Sequence, residues 1–92
     1  MVIYIAGRMR GLEDFGKAKF MAAEERLAGK GYIVLNPARL PANMPIERCM
    51  PICLAMLEQA DCIYLLDNWE ESEGAMLEMA YATFQKKHII YE

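Results

Sequence analysis

The stretch VIYIA, Val2–Ala6, is almost continuously apolar and rich in Ile and Val, which is typical of a β-strand covered on both faces. Three further runs have the same character: YIVLN at residues 32–36, CIYLL at 62–66 and HIIY at His88–Tyr91. We therefore predict four strands of a parallel sheet that is covered on both faces.

Three helical stretches separate these strands, at about residues 13–28, 46–59 and 72–86. Pro51 is expected in the first turn of the second helix, where a proline is tolerated. Ser72 is a favourable N-cap residue for the third. The apolar residues expected to face the core are Phe20, Ala23 and Leu27 in the first helix, and Ile52, Met56 and Leu57 in the second. The segment NPARLPANMP, with three prolines, predicts an ordered surface loop.

The alternation of strands and helices predicts one α/β domain over residues 1–92, with helices on both faces of the sheet and right-handed crossovers. For four strands we expect the order 2-1-3-4. In this order the chain changes direction between strands one and three, and ligands bind at the carboxyl ends of these strands. Two loops, at residues 7–11 and 67–74, are therefore expected to form the site.

Composition limits the classes of function. The chain has 92 residues, is 55% apolar and contains eight methionines. This apolar content is compatible with a compact core in which methionines fill gaps, or with a surface covered by a second copy of the chain. We favour the second explanation and expect a homodimer or a higher homo-oligomer.

Charge and cysteine content limit partners and location. The net charge of −3 argues against a nucleic-acid polymer as partner, and no apolar run is long enough to span a membrane. Without a signal peptide, three cysteines are expected to be reduced thiols in a cytoplasmic protein. Cys49 and Cys53 are expected on one helix face, but neither a metal site nor a cofactor is expected.

The first loop contains AGRMRG, residues 6–11. Gly7 and Gly11 allow backbone N–H groups to approach a ligand, and the guanidinium groups of Arg8 and Arg10 suit phosphate or carboxylate. The alternative is a tight turn with solvated arginines. The loop lacks the glycine and lysine patterns of dinucleotide and NTP sites.

The second loop leads into ESEGAMLE, residues 71–78. Ser72 begins the helix, and Gly74 leaves its first turn thin enough for a ligand to lie against it. Glu78 shares a face with small residues, so it is either a surface glutamate at the helix edge or a carboxylate in a pocket. In a pocket it could attack an electrophilic carbon, as glycosidase carboxylates do. The acids at positions 70, 71 and 73 are expected to be solvated charges near the positive end of the helix dipole.

Four motifs in this order resemble the nucleoside 2-deoxyribosyltransferase superfamily, especially its small bacterial and phage members. They are IYIAG at the start, NP after the second strand, L-x-x-A-D before the third strand, and W-E-x-S-x-G-A-x-x-E. The resemblance implies a flavodoxin/Rossmann-like three-layer sandwich that forms dimers or larger assemblies. It also implies cleavage or transfer at the N-glycosidic bond of a nucleoside or nucleotide.

The resemblance assigns roles to individual residues. Glu78 corresponds to the nucleophile that holds the sugar covalently, and Tyr4 to the tyrosine that orients it. Arg10 and Ser72 correspond to residues of relatives that hydrolyse deoxynucleoside 5′-monophosphates, which favours a nucleotide over a nucleoside.

Two positions depart from the family pattern. Arg8 stands where relatives usually have proline or serine, and Cys53 stands where they have an aspartate close to the sugar and base. A thiol is a poor substitute for a general acid–base group, and Asp67 is a possible replacement. The alternative function is therefore a nucleotide- or metabolite-binding module of the same fold with weak or no catalysis.

Overall fold

The computed structural model describes residues 1–92. All four strands are parallel and lie in the order β2-β1-β3-β4, so the predicted α/β fold and strand order are confirmed. In chain order the elements are β1 (Val2–Ala6), α1 (Lys17–Gly29), β2 (Ile33–Leu35), α2 (Ile46–Glu58), β3 (Cys62–Leu65), α3 (Glu73–Phe84) and β4 (His88–Tyr91). Short 3₁₀ turns at Pro37–Arg39 and Trp69–Glu71 precede α2 and α3.

The sheet separates two apolar layers. On one face, α1 packs Phe20, Ala23 and Leu27 against the sheet, as the helical spacing predicts. On the other face, α2 and α3 pack side by side against the sheet. This is the three-layer arrangement expected of a flavodoxin/Rossmann-like fold.

Strand β1 lies between β2 and β3 and supplies side chains to both layers. Ile3 and Ile5 point towards α1, whereas Tyr4 and Ala6 point towards α2 and α3, because successive side chains of a strand alternate between faces. The edge strands are less protected, and Ile33 of β2 is 63% exposed. The prediction of strands covered on both faces is therefore right for β1 and β3 and wrong for the edges.

Helix α1 begins four residues later than the sequence predicts. Phe15 and Gly16 have φ angles of 55° and 72°, which an α-helix cannot contain. The carboxylate of Asp14 accepts hydrogen bonds from the N–H groups of Gly16 and Ala18 instead, and forms a turn before the helix.

Helix α2 differs from the prediction in two respects. Pro51 lies inside the helix, beyond its first turn, because the helix already begins at Ile46. Its buried residues are Cys53 and Leu57, whereas Ile52 is exposed. Cys53 was not among the residues expected to face the core.

Other boundaries differ by a few residues. Strand β2 stops at Leu35 because the Asn36 side chain accepts a hydrogen bond from the Ala38 N–H and begins the 3₁₀ turn. Within the proline-rich segment, Pro37 and Ala38 are buried, so the loop is ordered but is not entirely at the surface. Helix α3 ends at Phe84, shortly before Lys86 with a φ of 59°. None of the helices has the length and apolarity needed to cross a membrane.

Candidate functional site

A cavity of about 410 Å³ opens beside the carboxyl end of β1, between the first loop, α2 and the start of α3. Its volume is in the range of small-molecule sites. The sequence-predicted residues that line it are Tyr4, Gly7, Arg8, Arg10, Cys53, Ser72, Gly74 and Glu78. The structure therefore brings most of the predicted site together.

Glu78 and Tyr4 form a buried pair in this cavity. Glu78 is 5% exposed and lies on the inner face of α3 with Ala75 and Ala82. The Tyr4 hydroxyl donates a hydrogen bond of 2.5 Å to Glu78 Oε2. Glu78 is thus a buried, oriented carboxyl group and not a glutamate on the surface.

Burial sets the protonation of this pair. Desolvation raises the pKa of Glu78 to about 7, although the hydrogen bond from Tyr4 acts in the opposite direction. Burial, followed by the charge of Glu78, also raises the pKa of Tyr4 well above its usual value. Tyr4 therefore remains a donor near neutral pH, while Glu78 is present in both its ionised and its protonated form.

Cys53 lies on α2 and faces the same cavity. Burial raises the pKa of its thiol to about 12, and the nearby Glu78 charge acts in the same direction. Its Sγ is 3.8 Å from Cys49 Sγ, so the two cysteines share a helix face as predicted. The Cys53 thiol is therefore neutral at physiological pH and supplies no fixed charge.

Gly7 is required by close packing after β1. A Cβ atom at this position would lie 2.8 Å from Leu66 Cδ1 and 3.1 Å from Asn68 Oδ1. The same Asn68 oxygen accepts a hydrogen bond of 3.0 Å from the Arg8 N–H. Gly7 and Asn68 thus fix the backbone that carries the two arginines.

The side chain of Arg8 spans the two loops. Its Nη1 lies 3.0 Å from Glu71 Oε1, and its Nε donates to the Arg10 carbonyl. Gly11 does not line the cavity, but a Cβ there would lie 2.7 Å from Arg8 Nη2. Gly11 therefore leaves space for the Arg8 guanidinium. Glu71 was expected to be only a solvated charge, but it also forms an ion pair with Arg8.

The mouth of the cavity is defined here by Arg10, Ser72 and Gly74. The first two provide hydrogen-bond donors, and the glycine leaves space. The guanidinium of Arg10 is exposed and makes one long contact, 3.5 Å, with the Met44 carbonyl. Ser72 is the N-cap of α3 as predicted, since its Oγ accepts a hydrogen bond of 3.1 Å from the Ala75 N–H. A Cβ on Gly74 would meet Met50 Sδ at 3.5 Å, an ordinary contact, so packing alone does not require glycine there.

Asp67 does not belong to this cavity. Its carboxylate forms an ion pair of 2.9 Å with Lys19, and its N–H donates to Glu92 Oε1. Asp67 therefore does not take the role of the aspartate that relatives have at the position of Cys53, and that expectation is wrong. The carboxyl end of β3 directs Asp67 towards α1, on the opposite side of the sheet from Glu78.

Sequence reasoning missed the apolar wall of the cavity. Met50 and Cys49 line it from α2, and Phe15 and Leu40 line it from the connecting segments. The part of this wall that α2 supplies could have been predicted, because Cys49, Met50 and Cys53 are three and four residues apart and share a helix face. No three His, Cys, Asp or Glu side chains lie close enough together to hold a metal ion.

Comparison with protein-family models gives a match to a domain of unknown function, DUF4406, over residues 1–91. The chain belongs to this family. The match spans all the strands and helices, so the cavity and the Tyr4–Glu78 pair lie inside the DUF4406 domain. No curated protein matches the chain.

Proposed function

We propose that this DUF4406 domain cleaves or transfers the N-glycosidic bond of a 2-deoxyribonucleoside or its 5′-monophosphate, with Glu78 as nucleophile. The observation that carries the proposal is a buried carboxyl group, held by the Tyr4 hydroxyl, in a cavity of small-molecule size. The resemblance to nucleoside 2-deoxyribosyltransferases supports the same assignment.

The hydrogen bond from Tyr4 distinguishes the two carboxylate oxygens of Glu78. Tyr4 donates to Oε2, and no protein group donates to Oε1. Because no buried side-chain oxygen lacks a partner, Oε1 must be accessible from the cavity. Oε1 is therefore the oxygen that we assign to the attack.

In the proposed reaction, ionised Glu78 attacks the anomeric carbon of the sugar, and a new C–O bond forms. The C–N bond breaks, and the base leaves with its electron pair and takes up a proton. The sugar is then held as an ester of Glu78. Attack by water completes hydrolysis, whereas attack by a second base completes transfer.

The cavity mouth supports a nucleotide with a 5′-phosphate. Arg8, Arg10 and Ser72, which carry two guanidinium groups and a hydroxyl, all line the cavity. Ser72 also begins α3, whose first N–H groups have no intrahelical acceptor and attract anions. These groups are suited to a phosphate, while Glu78 faces the sugar.

A second candidate function is a nucleotide- or metabolite-binding module without efficient turnover. The observation that favours it is the neutral Cys53 thiol beside Glu78, together with the position of Asp67 outside the cavity. Cys53 then supplies no general acid for the leaving base. Loss of such a group costs roughly 10²–10⁴-fold in rate.

We also propose that the protein is cytoplasmic and forms at least a homodimer. Its three cysteines are free thiols, as expected in a reducing compartment. Several large apolar residues are exposed on α3, and Phe84 is 82% exposed. Burial of such residues by a second chain is a common solution. Sedimentation at a single-chain mass would contradict the dimer.

Base release from a panel of deoxyribonucleosides and their 5′-monophosphates, with and without an acceptor base, tests the proposed activity. We expect release that Glu78→Ala abolishes and Glu70→Ala preserves, since Glu70 is exposed and outside the cavity. Equal turnover by Glu78→Ala and the unmodified protein would exclude Glu78 as nucleophile.

Substitution Cys53→Asp separates the two candidate functions. If the domain binds nucleotides without turnover, ligands raise its melting temperature without base release. Turnover that appears in Cys53→Asp, but not in Cys53→Ser, would identify an enzyme that lacks only its general acid. Absence of turnover in both variants, with retained ligand binding, supports the binding module.

A further inference from the structure

Helix α2 places two thiols side by side in the wall of the cavity. Cys49 Sγ lies 3.8 Å from Cys53 Sγ, and both residues line the cavity. Cys49 is half-buried, whereas Cys53 is only 4% exposed. Neither thiol has a part in the proposed glycosidic chemistry.

Pro51 lies between the two cysteines and weakens the helix at this point. Proline has no N–H to donate to the carbonyl of Glu47, and its ring crowds that carbonyl. Residues four apart in a helix are about 6 Å apart along the axis, within the roughly 4.4–6.8 Å that a disulfide allows between Cα atoms. Their Cβ atoms, about 5–6 Å apart in a regular helix, must approach to about 3.5–4.5 Å. A helix that lacks one hydrogen bond at this site is better able to make that adjustment.

We propose that Cys49 and Cys53 are a redox-active dithiol, which a hydroperoxide converts into a disulfide within α2. The inference rests on the distance between the two sulfur atoms, their shared access to the cavity and the proline between them. It does not depend on the glycosidic activity. Because Cys53 lies beside Glu78, the disulfide changes the wall of the proposed active site.

Cys49 reacts first, because it is the more exposed thiol and burial keeps Cys53 protonated by raising its pKa to about 12. The Cys49 thiolate attacks one peroxide oxygen, the O–O bond breaks, and the other oxygen leaves as water or an alcohol. The Cys53 sulfur then attacks the sulfenic acid sulfur of Cys49. The S–O bond breaks, and the hydroxide leaves as water with the Cys53 proton. Two thiols are oxidised by two electrons, and one peroxide is reduced.

Cys62 provides an internal control. It lies in β3, is fully buried in the layer that faces α1, and its Sγ donates a hydrogen bond to the Ile63 carbonyl. Neither of the other cysteines belongs to that layer. Cys62 should therefore remain a free thiol under conditions that oxidise the dithiol.

The test is peroxide treatment of the folded 92-residue chain without nucleotide, followed by thiol counting and intact mass measurement. We expect loss of two of the three free thiols and of the mass of two hydrogen atoms, both reversed by dithiothreitol. Cys62→Ser should behave in the same way and retain no free thiol after oxidation.

The single variants at the dithiol complete the test. Cys49→Ser and Cys53→Ser should form no internal disulfide, and Cys53→Ser should instead accumulate a sulfenic acid on Cys49 that dimedone captures. The proposal is overturned if the unmodified chain keeps all three thiols, gains oxygen atoms without a disulfide, or forms a disulfide between two chains. An internal disulfide in Cys49→Ser would also overturn it.

Discussion

The Tyr4 hydroxyl donates a hydrogen bond of 2.5 Å to Glu78 Oε2, which joins the central strand β1 to the inner face of α3. The two residues are 74 positions apart in the chain. Tyr4 is fully buried and Glu78 nearly so, so the pair is fixed by the fold and not by flexible surface side chains.

The rate of base release should rise with pH through about 7 and then level off, because only ionised Glu78 attacks. In Tyr4→Phe the hydrogen bond that lowers the Glu78 pKa is lost, so the midpoint of this rise should move to higher pH. The measurement is kcat/KM against pH for both proteins. Tyr64→Phe, at a half-buried tyrosine packed in the layer of α1, is the control and should keep the original midpoint. An unchanged midpoint in Tyr4→Phe would contradict the assignment.

Glu78→Gln should stabilise the protein at alkaline pH relative to the unmodified chain. The folded-state pKa of about 7 lies above the ordinary glutamate pKa of about 4.5, so the stability linked to this proton is complete below about 4.5 and lost as pH rises through 7. From pH 5 to pH 8, the unfolding free energy of Glu78→Gln minus that of the unmodified chain should increase by roughly 2–3 kcal/mol. Urea unfolding of both proteins at the two pH values measures this shift. A difference that does not vary with pH would show that Glu78 is not buried as described.

Arg10→Gln should weaken binding of a deoxynucleoside 5′-monophosphate roughly 10–100-fold, the loss expected for a hydrogen bond to a charged group. Binding of the matching nucleoside, which lacks the phosphate, should change little. Isothermal titration calorimetry of both ligands gives the comparison. Arg48→Gln removes an exposed arginine outside the cavity and is the matched control. An equal loss for nucleoside and nucleotide would place the phosphate elsewhere.

Gly74→Ala should leave the fold intact and weaken ligand binding. The added Cβ meets Met50 Sδ at 3.5 Å, so the free protein tolerates it, but it occupies space at the first turn of α3 where the cavity opens. Gly29→Ala, at a position with open space outside the cavity, is the control and should not affect binding. Thermal unfolding checks the fold and calorimetry checks the affinity. If Gly74→Ala binds as well as the unmodified chain, the ligand does not lie against this turn.

The parallel sheet and its order were predictable from the sequence because four apolar runs alternate with helical spacing, and few topologies satisfy that pattern. The approximate place of the site followed from the same order. The start of α1 was not predictable, because Phe15 takes a left-handed conformation that is rare outside glycine. The burial of Cys53 was also not predicted, because the orientation of α2 depends on its packing with α3 and not on local sequence.

The loop after β3 shows that position in a loop is not enough to predict which residues reach the cavity. Both Asp67 and Ser72 follow β3, but only Ser72 reaches the cavity. Asp67 forms an ion pair with Lys19 on the other side of the sheet, and its N–H donates a hydrogen bond to Glu92. Pairing of surface charges across distant elements is a property of the folded chain, and no local motif encodes it.

In the proposed reaction, Glu78 forms a covalent bond to the sugar. The most direct measurement is intact and peptide mass spectrometry after incubation with a 2-deoxy-2-fluoro nucleotide, whose fluorine slows release of the sugar. We expect one added sugar per chain, located on Glu78 and absent from Glu78→Ala. Base release without any adduct on Glu78, or an adduct that persists in Glu78→Ala, would contradict it.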